Sequence, residues 1–153
     1  MPNIVGSHNC SQVFCSVVLL PVEKFEDTIR PDRLSKYPNF QVLKALIDTG
    51  AQGTSITINA ANKLGLEPTG MFRVHGFGGS KLHNSYLFKV GFVDLQENDV
   101  GTINPMFHLV DREINGAEFD CGPDADFDIL LGMDVLSIGT LTIASNGKFK
   151  FTY

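Results

Sequence analysis

The sequence predicts an all-β fold, a compact domain or barrel of many short strands with few helices. Two observations carry this. Runs rich in β-branched and aromatic residues recur along the 153-residue chain, and such runs suit a pleated, half-buried surface. Turn-forming glycines and asparagines separate them, above all Asn146-Gly147, a pair that favours a tight hairpin turn.

Taken in order, "QVFCSVVLLPV" (12–22) is the first strand. "EKFEDTIRPDRLSKYPN" (23–39) is charged and holds two prolines, so it reads as a surface excursion or a short helix plus loop. "FQVLKALID" (40–48) is a second strand, and "TSITI" after Gly53 a third. "NAANKLGL" reads as a two-turn helix, with Asn59 as its N-cap and Gly65 as its stop. "MFRVHGFGGSKLHNSYLFKVGFVDL" places strand-like segments on either side of "GFGG", a long hairpin with a glycine-rich tip. "TINPMFHLVD" (102–111) is another strand, and 112–126 is loop-like. "FDILLGMDVLSIG" gives a buried strand, Gly132 and a short helix, and "TLTIASNGKFKFTY" closes the chain as a hairpin. No repeat or low-complexity segment interrupts this, and the length favours one domain over 1–153.

The composition narrows the function. Net charge is −5 and no run of Lys or Arg occurs, which argues against nucleic acid, since phosphate binding needs clustered positive charge. No apolar stretch reaches the ~20 residues of a membrane span. "VFCSVVLL" has no basic region before it, so it reads as a strand and not as a signal peptide. Cys10, Cys15 and Cys121 are an odd count, which suggests reduced thiols in a cytoplasmic protein and leaves the Asn9 sequon without consequence.

One stretch carries chemistry. "KALIDTGAQGTSI" (44–56) sets Asp48 at the end of an apolar run, followed by Thr49, Gly50 and Ala51. Gly50 permits a tight turn and a close backbone approach, and turn N–H groups can fix a carboxylate. On these residues alone an ordinary Asx-type turn is the favoured explanation of Asp48. "VHGFGG" (74–79) and "DILLGMDVL" (128–136) follow in the same chain. The three together resemble the retroviral-type (retropepsin-like) aspartic proteases, particularly their short bacterial members. In that resemblance "ALIDTGA" (45–51) is the catalytic motif, "VHGFGG" the flap, and "DILLGMDVL" the strand and helix behind the active-site loop.

The resemblance spans about 40–153, with 1–39 as an N-terminal strand and excursion. It implies a closed small β-barrel with one or two short helices that is half an enzyme, because one Asp-Thr-Gly is present. Two copies would bring their Asp48 side chains together in a homodimer acting on an extended peptide or protein. Thr49, Gly50 and Ala51 would support the loop. Gln52, Gly53, Gly76, Phe77, Gly78 and Gly79 would contact substrate. No metal or organic cofactor is implied. Viral members pair an acid after the motif with an arginine after the late glycine; Gln52 and Met133 stand there instead.

Other signals are weaker. "DADFD" (124–128) lacks the glycine and glutamate of a calcium loop, with Ile129 and Val135 at those positions. His8, Cys10 and Cys15 match no zinc spacing. His75 and His83 flank the hairpin tip as exposed side chains, and Cys121 reads as a free thiol. Asp134 opens the late helix, where a carboxylate is worth ~0.3–1 kcal/mol by helix electrostatics. A non-catalytic peptide-binding or scaffold module with the same dimeric groove is the alternative function.

Overall fold

The structure, a computed structural model, describes residues 1–9, 11–22, 41–76, 78–97, 101 and 103–153. The 23–39 excursion, Cys10 and Phe77 lie outside the described residues. Eleven strands and two short helices follow one another as β1 (Asn3–Ser7), β2 (Val13–Pro21), β3 (Leu43–Ile47), β4 (Ser55–Thr57), α1 (Ile58–Leu64), β5 (Gly70–Gly76), β6 (Gly79–Glu97), β7 (Ile103–Leu109), β8 (Ile114–Phe119), β9 (Ile129–Leu131), α2 (Met133–Leu136), β10 (Thr140–Ile143) and β11 (Lys148–Thr152). The fold is all-β, as the strand chemistry predicts.

Six strands close into a ring in the order β2-β3-β9-β4-β8-β6, with β6 returning to β2. β2 closes it by changing partner along its length. Val13–Val17 pair with β3, and Val17–Pro21 pair with β6. The 19-residue β6 runs past several neighbours. It pairs with β5 first, then β8, then β2, and finally β7. Alternation along it fills the ring. Tyr86, Phe88, Val90 and Phe92 are buried, whereas Leu87 and Lys89 between them are half-buried. Burying side chains of this size contributes ~1.5–3 kcal/mol each. Val17, Ile56, Ile129, Leu131 and Phe151 complete that core. Val18, Leu20 and Val93 face the other way and pack against Phe107 and Leu109 of β7.

The two ends of the chain form a separate antiparallel sheet, β1-β11-β10. The predicted Asn146-Gly147 turn closes β10 onto β11, with Gly147 at φ 79° and Asn146 Oδ1 accepting from Lys148 N at 3.1 Å. His8 Nε2 donates to the Ala144 carbonyl at 2.8 Å and ties β1 to that turn. Phe151 and Tyr153 stack where this sheet meets the ring, and Phe92 packs tilted against both. The Tyr153 hydroxyl there is buried without a hydrogen-bond partner among the described residues.

Three local expectations are corrected. Residues 112–126 are not all loop, because 114–119 form β8, a central ring strand between β4 and β6. "INGAEF" hides its strand character behind Gly116, whose absent side chain makes room. A Cβ there would lie 2.7 Å from the Phe88 ring and 3.1 Å from the Thr54 carbonyl oxygen. The first helix starts earlier than expected, and Thr57, not Asn59, caps it. Its hydroxyl accepts from Ala60 N at 3.1 Å. That shortens the third strand to Ser55–Thr57. Gly65 ends the helix at φ 64° as expected. Asn3–Ser7 add a strand to the count. Among the described residues no helix is long and apolar enough to cross a membrane.

Candidate active site

β9 lies between β3, which runs parallel to it, and β4, which runs antiparallel. The chain therefore leaves β3, crosses the end of β9 and returns along its other side. Residues 48–54 make that crossing. Backbone bonds fix both ends of the crossing. Asp48 N donates to Leu131 O at 3.0 Å, continuing the β3–β9 ladder by one residue. Met133 N then donates to Ala51 O at 2.9 Å, and Asp134 N to Gln52 O at 3.1 Å. The loop is thus stitched to the start of α2.

Asp48 is half-buried at the mouth of this crossing. Gly50 N donates to its Oδ1 at 2.8 Å, and Ala51 N to its backbone carbonyl at 3.3 Å. This is the Asx-turn geometry that the residues alone suggest, and it fixes the carboxylate's orientation. A Cβ at Gly50 would stand 3.2 Å from Asp48 Oδ1, so a side chain there crowds the carboxylate. Thr49, Gly50, Gln52 and Gly53 are exposed and Ala51 is half-buried.

Behind the loop sits a polar knot. Thr54 is buried, at 2% exposure. Its hydroxyl donates to Asp134 Oδ1 at 2.7 Å and accepts from Gly132 N at 3.1 Å. Its backbone N donates to Asp134 Oδ2 at 2.9 Å. Both carboxylate oxygens are thereby used, and Arg112 Nη1 donates to the Asp134 backbone carbonyl at 2.5 Å. Asp134 therefore does more than the helix electrostatics expected of it: it clamps the far end of the loop. Gly132 is required by packing, because a Cβ would lie 2.5 Å from Gly53 C and O. Sequence reasoning placed "DILLGMDVL" behind the loop but missed Thr54 and Arg112. Thr54 lies 80 residues from its partner Asp134, and no local pattern joins them.

The β5–β6 hairpin leaves the ring after Ser85, the last β6 residue before the tip that pairs with β8. Its base is held on two sides. Glu118 accepts from Tyr86 Oη at 2.8 Å and from Asn84 N at 3.3 Å. Thr69 N donates to Ser85 O at 2.8 Å. Burial and the Glu118 carboxylate push the Tyr86 phenol up to about 12. At the tip Gly76 pairs with Gly79. Gly79 carries the positive φ, 98°, and added side chains at Gly76 or Gly78 would meet open space within 4 Å. His75 is exposed and His83 half-buried.

A family model described as aspartyl protease matches residues 39–135, well over half of the chain. The chain belongs to the aspartyl protease family. The match covers the loop at 48–54, the β5–β6 hairpin and the Gly132 buttress in one span. Among solved structures, a retropepsin-like aspartic protease from Rickettsia conorii superposes with a TM-score of 0.55 at 18% identity, covering 99% of this chain and 91% of that one. The aspartyl protease fold here is thus of the retropepsin-like kind. The retroviral protease-like domain of Ddi1 from Leishmania major matches with a TM-score of 0.37 at 17% identity, over 92% of this chain and 94% of that one. No curated protein matches.

Two further thiol and metal expectations concern the same molecule. Cys121 is an exposed free thiol and Cys15 a buried one. Burial pushes the Cys15 thiol up to about 12. Among the described residues no group of three or more His, Cys, Asp or Glu is placed to hold a metal ion.

Proposed function

We propose that this aspartyl protease is an endopeptidase that cleaves extended peptides as a homodimer, with Asp48 of each copy forming one catalytic pair. The observation that carries the reading is the Asp48 carboxylate, held by Gly50 N at 2.8 Å on a loop stitched to α2. A single carboxylate is half of the required machinery, and a two-fold axis supplies the other half. The exposed Thr49, Gly50, Gln52 and Gly53 support a surface that a second copy or a substrate covers.

Two carboxylates that meet across the axis cannot both ionise cheaply, so the pair holds one proton and titrates as a unit. The ionised member takes a proton from a bound water, which attacks the scissile carbonyl carbon. The protonated member donates to the carbonyl oxygen, and proton return to the amine releases the products. Thr49 of each copy locks the two loops together, and Ala51 packs beneath. Gln52 and Gly53 line the groove. The hairpin tip at Gly76–Gly79 acts as a flap that closes over the bound chain and excludes water.

Incubation with a diverse peptide pool at about pH 4–7, from the ordinary carboxylate range upward, tests the reading. Wild type cuts and Asp48→Asn does not. Undiminished cutting by the variant, or binding without cutting by the dimeric wild type, refutes the endopeptidase; the second outcome is that of a peptide-binding scaffold.

A further inference from the structure

The β5–β6 hairpin is chemically unlike the rest of the chain. Residues 70–85, from the start of β5 to the base of the hairpin on β6, contain two of the twelve Lys and Arg (Arg73 and Lys81), two of the four His and none of the seventeen Asp and Glu. A basic arm therefore projects from a protein of net charge −5. All seven residues of β5 are exposed, and among the described residues β5 pairs only with β6, which leaves the backbone donors and acceptors of its outer edge without a neighbouring described strand. Large apolar side chains line both faces: Met71 at 60% exposure, Leu82 at 55%, Phe72 at 40% and Val74 at 38%. The pairing register puts Met71 opposite Asn84 and Arg73 opposite Leu82. Opposite residues share a face. That face continues along β6 into buried Tyr86 and Phe88, so Met71, Arg73 and Leu82 stand on the inward side.

The arm's charges are uncompensated. Arg73 Nη1 reaches only the Ser80 hydroxyl, at 3.4 Å. Among the described residues neither Arg73 nor Lys81 has a carboxylate partner. Native edge strands are blunted by bulges, prolines, covering elements or charge. Among the described residues one sign of charge is the guard on this edge, and it repels basic partners while inviting acidic ones.

We infer that this hairpin selects extended peptides carrying acidic residues among apolar ones, which add to the free edge of β5 as a further strand. An acidic side chain lies across from Arg73, with apolar neighbours across from Met71, Phe72 and Val74. Backbone pairing supplies affinity and the side chains supply choice. The inference rests on the protease reading only for the cleavage step after docking, and it names that reading's substrate class.

The test separates docking from chemistry by using the Asp48→Asn protein. Fluorescence anisotropy is measured with three dye-labelled peptides, Ala-Leu-Val-X-Val-Leu-X-Ala, in which X is Glu, Gln or Lys. The Glu peptide binds about fivefold tighter than the Gln peptide, as expected for one partly exposed charge pair with Arg73, and the Lys peptide binds weakest. High salt shrinks that preference. Arg73→Gln with Lys81→Gln abolishes it, and Arg73→Glu with Lys81→Glu reverses it. Equal binding of the three peptides, no binding of any, or a Glu preference that survives charge reversal overturns the inference. Wild type is then given the same peptides. A Glu preference without cleavage sinks the protease reading and leaves this inference standing; cleavage without a Glu preference does the opposite.

Discussion

Thr54→Val probes the knot behind the loop with almost no change of shape. The hydroxyl makes two bonds, to Asp134 Oδ1 at 2.7 Å and from Gly132 N at 3.1 Å. Losing a bond to a carboxylate costs ~1.5–3 kcal/mol, and leaving the buried Gly132 N–H unpaired costs ~1–3 kcal/mol more. Asp134 is half-buried, so water recovers part of the first loss, and the expected total is about 3 kcal/mol. That is a large share of the ~5–15 kcal/mol that holds a domain together. In urea the midpoint falls by ~1–3 M with an unchanged slope, for a slope of ~1–3 kcal/mol/M. Asp134→Asn keeps one acceptor oxygen and costs less. Because the two changes share a bond, the double variant loses about 1–2 kcal/mol less than the two single losses added. A Thr54→Val loss under ~0.5 kcal/mol, or strict additivity with Asp134→Asn, refutes the clamp.

Three other outcomes rest on single contacts. Gly132→Ala drives a Cβ to 2.5 Å from Gly53 backbone atoms; stability drops by ~1–3 kcal/mol, read by thermal melting, and amides at 49–53 exchange faster. Gly79→Val strains a residue at φ 98° by ~1–3 kcal/mol and lowers turnover and melting temperature, whereas Gly78→Ala, whose Cβ meets open space, leaves melting temperature near wild type. Burial raises the Cys15 thiol from its ordinary value near 9 to about 12, so its contribution is fully present below about pH 9 and is lost as pH rises toward 12, at ~1.4 kcal/mol per pH unit. Melting temperature therefore falls through that range, and Cys15→Ala flattens the decline.

The parts of this molecule legible in sequence are local. Apolar alternation in "QVFCSVVLL" and "LKALI" marks β2 and β3, and the Asn146-Gly147 turn announces the last hairpin, because each signal lies within one element. Asp48 and its glycine turn are legible for the same reason, with donor and acceptor two residues apart. What escapes is set by distant packing. β8 looks like loop because Gly116 is a poor strand former, and only the Phe88 ring pressing on it explains the glycine. The first helix begins at Ile58, where β-branching argues for strand, because Thr57 caps it. Asp134 looks like a helix-end acid until the chain folds Thr54 against it.

The central claim is that each active site takes one Asp48 from each of two copies. A subunit-mixing assay measures this directly: a fixed amount of wild type is incubated to exchange with rising amounts of Asp48→Asn, and peptide cleavage is followed. If the pair is shared, mixed dimers are dead, so activity falls to about half at equal amounts and to about one tenth at ninefold excess. Activity that stays constant while sedimentation shows the subunits exchanging contradicts the claim.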